Sequence, residues 1–205
     1  MPSLSSYDKG TAKAEGKRVQ ADIRAGDEAL WEVLNETRGI SFRGIGLRGN
    51  HEHRIMRWMQ HTPEVNGLCD PVDAAFPTAG WEVYPFLEPV CIDGVWYAHF
   101  FHGRSGRAFA SKYLGAQLVR ERLCTSIVGH SHILDHYVQS ASGPTGTRRV
   151  HGLSVGCYTD ATPEYAGQSN GAWWRGIVVL RDVVDGDFDL ETYSLERVRK
   201  EWGDR

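Results

Sequence analysis

The chain has 205 residues, of which 41% are hydrophobic and 24% charged, and its formal net charge is −3 at pH 7. This size and composition are typical of one globular domain with a substantial core, and the charge argues against the broad basic surface of a bulk nucleic-acid binder. No apolar run approaches the roughly 20 residues that span a bilayer, and residues 1–7 lack the pattern of a secretory signal. We therefore predict a single cytoplasmic domain over residues 1–205.

Four cysteines stand far apart in the sequence, so no short-spaced pair indicates a zinc ribbon or a redox motif. They are Cys69, Cys91, Cys124 and Cys157. Unpaired cysteines suit a reducing cytosol, and free cysteine is among the residue types most often buried. We therefore predict four reduced and buried thiols.

The first part of the chain predicts a helix, a strand and a second helix. Apolar residues recur at helical spacings from about Thr11 to Arg38, and Gly39 follows as a natural helix end. A strand is predicted over residues 40–47 and a short helix from His53 to about His61. Residues 62–80 are rich in proline and glycine and predict a long surface loop.

The middle of the chain predicts a hairpin, a helix and a strand. The two hairpin strands, Trp81–Ile92 and Val95–Phe101, flank Asp93-Gly94, which is a strong signal for a tight turn. A helix is predicted over Ala108–Leu123. The strand over residues 124–128 follows it directly.

The last part of the chain predicts two more strand pairs, each joined by turn residues. The predicted strands span residues 133–140 and 148–155, then 173–184 and 188–195. Asp185-Gly186 marks the second turn, and residues 158–172 are predicted to form a polar loop. The two ends, residues 1–10 and 196–205, are expected to be flexible.

Two histidine-containing motifs follow glycines at the ends of predicted strands. They are Gly49-Asn50-His51-Glu52-His53-Arg54 and Gly129-His130-Ser131-His132. Ligand sites in open α/β sheets lie beyond the carboxyl ends of strands, and imidazole is a common ligand of catalytic divalent metals. His130 and His132, one residue apart, would point to the same side of an extended segment. The sequence therefore predicts a metal site built from histidine and asparagine.

The order Gly-Asn-His-Glu, then His-Gly after a hairpin, then Gly-His-x-His resembles the calcineurin-like metallophosphoesterases. The resemblance covers roughly residues 5–195 in element order. It implies an α/β fold, a two-sheet α-β-β-α sandwich of the metallophosphoesterase type that is truncated at its N-terminal edge. It also implies divalent metal ions, one or two per site, with Mn as the first choice and Fe, Zn, Ni and Mg as alternatives.

The resemblance implies which residues bind the metal. Asn50, His102 and His130 would hold one ion, and His132 would serve a second. His99 is the alternative to His102 as the middle ligand, and we prefer His102 because it precedes a glycine at the strand exit. An amide oxygen such as that of Asn50 suits hard cations, although the same side chain could instead cap the helix that follows.

Catalytic and phosphate-binding roles fall on four further residues. The resemblance makes His51 the acid that protonates the leaving oxygen. Glu52 is predicted to orient that imidazole through a hydrogen bond. Arg54 and Arg104 are predicted to bind substrate phosphate, since a guanidinium group matches phosphate oxygens, with a solvated charged face as the alternative.

The chain departs from the family pattern before Gly49. Members of the family begin with Asp-x-His and Gly-Asp-x-x-Asp, which supply carboxylate ligands, and neither motif occurs there. Gly26-Asp27-Glu28-Ala29-Leu30 lacks the second aspartate and falls within a helical pattern. The missing motifs could belong to an absent N-terminal piece, come from a separate polypeptide, or have been lost.

The predicted function is therefore a metal-dependent hydrolase of phosphate esters, first of all a phosphodiesterase or nuclease that acts on nucleic acid or nucleotides. One alternative is a truncated or degenerate phosphoesterase domain that binds a partner without turnover. Another is a protein phosphatase. No membrane partner is expected, and the sequence leaves the oligomeric state open.

Overall fold

The structure is a computed structural model that describes residues 10–65, 80–143, 146–159, 167 and 171–203. Its contacts divide the chain into two compact units, Met1–Phe86 and Leu87–Arg205. Both units combine helices with strands, which confirms the predicted α/β class at this level. Within the described ranges, the helices are too short or too polar to cross a lipid bilayer.

The first unit contains two helices and a two-stranded parallel sheet. Helix α1 spans Val19–Glu36 and helix α2 spans His53–His61, where the sequence predicted it. Strands β1 (Ile45–Leu47) and β2 (Glu82–Tyr84) pair in parallel. Gly39 follows α1 with a φ of +84°, a left-handed conformation that glycine adopts without steric cost.

Two strand predictions in this region are wrong in extent. The predicted strand over residues 40–47 keeps only its last three residues, because Ile40 and Phe42 lie exposed before the pairing begins. The predicted strand Trp81–Ile92 divides at Pro85, which has no N–H to donate to a sheet. Leu87 then turns the chain with a φ of +73°.

Two short helices complete the described part of the first unit. Short 3-10 helices form at Ala12–Ala14 and Pro63–Val65, so the first helix begins later than the sequence predicted. Most of the predicted loop over 62–80, together with Cys69, lies outside the described residues.

The second unit is built on a five-stranded sheet of order β3-β4-β5-β7-β6. Its strands are β3 (Val90–Ile92), β4 (Val95–Ala98), β5 (Ser126–Val128), β6 (Leu134–Gly143) and β7 (Gly146–Val155). Strands β4, β5 and β7 run parallel, whereas β3 and β6 are antiparallel at the two edges. The predicted tight turn is confirmed, with φ values of +50° at Asp93 and +80° at Gly94.

A helix covers one face of this sheet. Helix α3 spans Leu114–Arg122 and is shorter than the predicted Ala108–Leu123. Ala108, at the predicted start of the helix, instead pairs with His102 in an isolated antiparallel bridge. Leu114 and Leu118 of α3 pack with Ala98 and Val128 of the sheet. The helix lies against the strands that end beside the second histidine motif.

A hairpin covers the opposite face. Strands β8 (Gly176–Val184) and β9 (Asp187–Ser194) pair across Asp185-Gly186, as predicted. Phe188 of β9 packs against Val95, Ile127 and Leu153 of the five-stranded sheet. The Gly186 N–H donates to the Asp93 carbonyl at 2.8 Å, which joins the two tight turns.

Most of the C-terminal end, which the sequence predicted to be flexible, is helical. Residues Leu195–Trp202 form helix α4. The Ser194 hydroxyl caps the helix by accepting from the Arg197 N–H at 3.2 Å, and Arg197 pairs with Glu201 one turn later at 2.8 Å. The buried side chain of Leu195 fixes the start of the helix to the second unit.

The cysteine prediction is confirmed only in part. Cys91, Cys124 and Cys157 are free thiols. Cys91 is nevertheless exposed, because alternate residues of the edge strand β3 face away from the core. Cys124 and Cys157 are half-buried rather than fully buried.

Candidate functional site

The predicted site residues divide between the two units. Those of the first unit are Asn50, His51, Glu52 and Arg54, and those of the second are His102, Arg104, His130 and His132. The alternative ligand His99 also belongs to the second unit.

The first motif forms a closed turn between β1 and α2. The Glu52 carboxylate accepts from the buried Gly49 N–H at 2.7 Å, and the His53 N–H donates to the Gly49 carbonyl at 3.2 Å. Ile55, only 1% exposed, anchors the first turn of α2 in the unit. The backbone that carries the asparagine and the histidine of the motif is therefore held from both sides.

The polar side chains of this turn lie half-buried at its surface. Asn50, His51 and Arg54 all have intermediate exposure, and the Arg54 N–H donates to the His51 carbonyl at 3.2 Å. Glu52 binds the backbone of the turn, so its carboxylate supports the turn itself. Its predicted hydrogen bond to the His51 imidazole stays a prediction.

In the second unit, two histidines follow the ends of neighbouring parallel strands. Ala98, the last residue of β4, lies beside Val128, the last residue of β5. His99 follows the first strand directly, and His130 follows the second after one glycine. The Nε2 atom of His99 lies 3.0 Å from the Nδ1 atom of His130. The strand ends thus bring two imidazoles together.

His102 is not a member of this pair. It is exposed, and its ring contacts Phe100 with centroids 5.0 Å apart. The Phe100 ring in turn contacts His130, at 4.9 Å. His102 and His130 thus contact the same aromatic ring, whereas His99 reaches His130 directly. The structure gives the closer position to His99, and the role of His102 stays a prediction.

The predicted extended conformation of the Gly-His-Ser-His segment is wrong. His130 and His132 have φ values of +48° and +60°, in the left-handed region, which costs a residue with a β-carbon about 1–2 kcal/mol. The two rings consequently have different neighbours, since His132 packs edge-on against Trp173 with centroids 4.1 Å apart.

Hydrogen bonds on both sides of the segment hold this strained backbone. The Ser131 hydroxyl lies 2.7 Å from the hydroxyl of the fully buried Ser154, which donates to the Ile133 carbonyl at 2.8 Å. The Trp174 N–H donates to the His132 carbonyl at 2.9 Å. Strain that persists because the surroundings fix it is common at functional sites.

Burial favours the neutral form of both histidines of the segment. Burial lowers the pKa of His130, and the nearby His132 lowers it further. Burial also lowers the pKa of His132, with a second contribution from the guanidinium of Arg175. Neutral imidazole is the form that binds metal ions, so the ligand state needs no deprotonation at neutral pH.

The donor set fits part of a metal site. Two imidazole nitrogens bound at roughly 2.1 Å to one ion, at tetrahedral or somewhat smaller angles, lie about 3.0–3.4 Å apart, and the nitrogens of His99 and His130 have a separation of 3.0 Å. Among the described residues, no group of three or more His, Cys, Asp or Glu side chains is arranged to hold a metal ion. The second unit thus offers a two-nitrogen pair rather than a full ligand set.

Sequence reasoning missed several residues that shape this region. Phe100 lies between the two histidines of His99-Phe100-Phe101-His102, which the sequence could have revealed as a possible ring contact. Ser154 comes from β7 and Trp173 from the segment before β8, and nothing in the local sequence links them to the motif. Arg104, a predicted phosphate ligand, is exposed in the turn that follows His102.

No protein-family model matches the chain, and neither a curated protein nor a solved structure shows significant similarity to it.

Proposed function

We propose that the chain is a metal-dependent phosphoesterase, first of all a phosphodiesterase acting on nucleic acid or nucleotides. The observation that carries this proposal is the approach of His99 Nε2 to His130 Nδ1, at 3.0 Å, beyond the carboxyl ends of two parallel strands. This is where open α/β sheets place their ligand sites. Burial lowers the pKa of His130 and so favours the neutral form that a metal ligand needs, which adds to the support.

The layering of the second unit agrees with the proposed fold. Helix α3 packs on one face of the five-stranded sheet, and the hairpin β8–β9 packs on the other. A helix, a sheet and a second sheet are three of the four layers of an α-β-β-α sandwich. We propose that the fold is of the metallophosphoesterase type.

The residues of the second unit would bind the cation. His99 and His130 would hold one ion through the facing nitrogens, and His132 is the candidate ligand of a second. Mn is the first choice, and Fe, Zn, Ni and Mg are the alternatives. A bound divalent cation would lower the pKa of a water molecule and neutralise phosphoryl oxygens.

The remaining roles concern binding and proton transfer. The first unit carries Asn50 and His51, for which we propose the ligand and proton-donor roles. Protonation of the leaving oxygen by His51 would avoid expulsion of a free alkoxide. Arg54 and Arg104 would bind phosphate oxygens through their planar guanidinium groups.

The test is hydrolysis of bis-p-nitrophenyl phosphate by the full chain in the presence of Mn. We expect turnover that His130→Gln lowers on the order of 100-fold, since changes around metal ligands typically cost 10–100-fold or more. His61→Gln is the matched control, because His61 lies exposed at the end of α2 outside the proposed machinery. Absence of turnover with each of Mn, Fe, Zn, Ni and Mg would refute the proposed phosphoesterase activity.

A second candidate function is cation or partner binding without turnover. It is favoured by the lack, among the described residues, of a group of three His, Cys, Asp or Glu side chains arranged around one point. Histidine and amide ligands without carboxylates hold hard cations weakly. Calorimetry with Mn discriminates the two: one bound ion with no diesterase activity supports binding alone.

A further inference from the structure

Three strands of the second unit meet at a chain of hydrogen-bonding side chains that the proposed function does not use. The Asp187 Oδ1 atom on β9 lies 2.8 Å from His151 Nε2 on β7. The other ring nitrogen of His151, Nδ1, lies 3.1 Å from His136 Nε2 on β6. His151 is only 1% exposed, whereas His136 lies exposed on the edge strand.

The carboxylate of Asp187 fixes which nitrogen of His151 is bare. Desolvation raises the pKa of Asp187, but hydrogen bonds from Arg149 and His151 outweigh it and hold the pKa below its usual value. A carboxylate only accepts hydrogen bonds, so His151 Nε2 carries the hydrogen that lies between the two residues. In the neutral ring the Nδ1 atom is then a bare lone pair.

This arrangement is the one that supports a histidine ligand in metal sites. A metal-binding histidine almost always donates its other N–H to a carboxylate, a backbone carbonyl or water, which fixes the tautomer and the ring orientation. Asp187 is itself held by the Arg149 Nε–H and by the Phe188 N–H, each at 2.9 Å. The buried ring of His151 therefore presents Nδ1 in a fixed position.

His136 supplies a second nitrogen at a suitable distance. Two imidazole nitrogens bound to one ion lie about 3.0–3.4 Å apart, and the facing nitrogens of His136 and His151 are 3.1 Å apart. The ring centroids are 5.3 Å apart, so the rings approach through their nitrogens rather than through their faces. Because His136 is exposed, its ring can turn toward an ion that enters from solvent.

The surrounding charges favour a cation. Asp187 on β9 and Asp135 on β6 place negative charge near the two rings, and Arg149 offsets part of it. Partial burial and then the nearby His151 lower the pKa of His136, against an opposing effect of Asp135. The neutral imidazole that a metal ion requires is therefore favoured at His136.

We propose that His151 Nδ1 and His136 Nε2 form a second cation site, which binds a divalent transition metal of the zinc type, with Asp187 as the residue that orients His151. The ion takes the place of the hydrogen between the two nitrogens. His136 then carries its hydrogen on Nδ1, the other tautomer of neutral imidazole, and the bond between His151 and Asp187 stays intact. This site does not depend on the proposed function.

The ligand set selects the metal. Imidazole suits zinc, copper and nickel, and manganese stands lowest in the affinity order of the divalent first-row ions. Among the described residues, no third His, Cys, Asp or Glu side chain is arranged to bind the same ion. Water would therefore complete the coordination of the zinc ion.

A bound ion would act as a clamp at the edge of the sheet. Strand β6 is the last strand of the five and pairs with β7. The ion would join these two strands through their side chains and, through Asp187, would connect them to β9. Because only the folded chain brings the two nitrogens together, binding of the ion stabilises it.

The test is a zinc titration of full-length His130→Gln, which lacks one nitrogen of the His99–His130 pair, followed by imidazole nitrogen NMR. We expect zinc to shift the ring nitrogens of both His136 and His151. Adding His136→Ala should weaken zinc binding about 100-fold, at the upper end of the range for changes around a metal site. His61→Ala is the matched control, because His61 lies exposed in the first unit, and it should leave zinc binding unchanged.

A further variant tests the role of Asp187. Asp187→Asn keeps an oxygen that can accept from His151 Nε2 and removes the negative charge, so we expect zinc to bind about tenfold more weakly. Equal zinc affinity in Asp187→Asn and its parent would show that the carboxylate does not support the ligand.

Two results would overturn the site itself. One is a zinc titration that leaves the ring nitrogens of His136 and His151 unshifted, which would mean that the two rings share only a hydrogen bond. The other is zinc affinity that His136→Ala does not change, which would place the ion elsewhere. Neither result bears on manganese-dependent turnover, so failure of this site and failure of the proposed function are distinguishable.

Discussion

Gly115 and Gly152 let a helix and a strand meet backbone to backbone. A β-carbon at Gly152 would collide with the Gly115 carbonyl group, and one at Gly115 would lie 2.6 Å from the Gly152 carbonyl oxygen. Neither neighbour is a side chain that could turn aside. The two glycines thus set the distance between α3 and β7, and with it the position of the helix over the ends of β4 and β5.

We expect Gly152→Ala to destabilise the protein by about 3 kcal/mol, the upper part of the range for overpacked cores. The reason is that backbone must move to admit the methyl group. Urea unfolding measures the change. The matched control is Gly171→Ala, where a β-carbon meets no atom within 4 Å. Equal unfolding midpoints for the two variants would contradict the tight contact.

At the scale of elements, helix α3 is capped from a neighbouring strand rather than by its own sequence. Its N-cap residue Tyr113 makes no side-chain cap bond. The carboxylate of Asp135 on β6 instead accepts a hydrogen bond from the Gly115 N–H at 2.8 Å. A carboxylate at a helix N-terminus also interacts favourably with the helix dipole.

We expect Asp135→Ala to cost about 1 kcal/mol of stability, the usual effect of losing a cap. Asp135→Asn keeps an acceptor and loses the charge, so its cost should be smaller. Urea unfolding at pH 7.5 measures both. If the asparagine variant is as unstable as the alanine variant, the hydrogen bond to Gly115 does not stabilise the helix.

At the scale of the molecule, the sequence predicted the structural features that neighbouring residues determine. It did not predict the features that depend on residues far apart in the chain. The turns at Asp93-Gly94 and Asp185-Gly186 are local, because each requires positive φ at adjacent positions. The parallel pairing of β1 with β2 joins residues far apart in the chain, and no local pattern indicates it. Helix α4 was not predicted, because Ser194 is both the last residue of β9 and the N-cap of the helix.

The candidate site shows the same division. The sequence located both motifs at strand ends, but choosing between His99 and His102 depends on where β4 stops. The strand ends at Ala98, three residues before the predicted Phe101, so the first histidine rather than the second follows it directly. A strand boundary is fixed by pairing with β5, which the sequence of β4 alone does not contain.

A metal that binds the folded chain must also stabilise it. We expect Mn to raise the unfolding temperature in a concentration-dependent way, since a ligand at 100 times its Kd adds about 2.7 kcal/mol to the stability. His99→Gln and His130→Gln should each remove most of this gain, because each takes one nitrogen from a pair that is 3.0 Å apart.

The His102 variant decides between the two middle ligands. If His102→Gln keeps the full thermal gain while His99→Gln loses it, His99 is the ligand, as the geometry favours. Loss in the His102 variant alone would restore the preference drawn from the sequence. A gain of equal size in all four proteins, wild type and variants, would mean that Mn binds elsewhere, and the proposed site would then have to be abandoned.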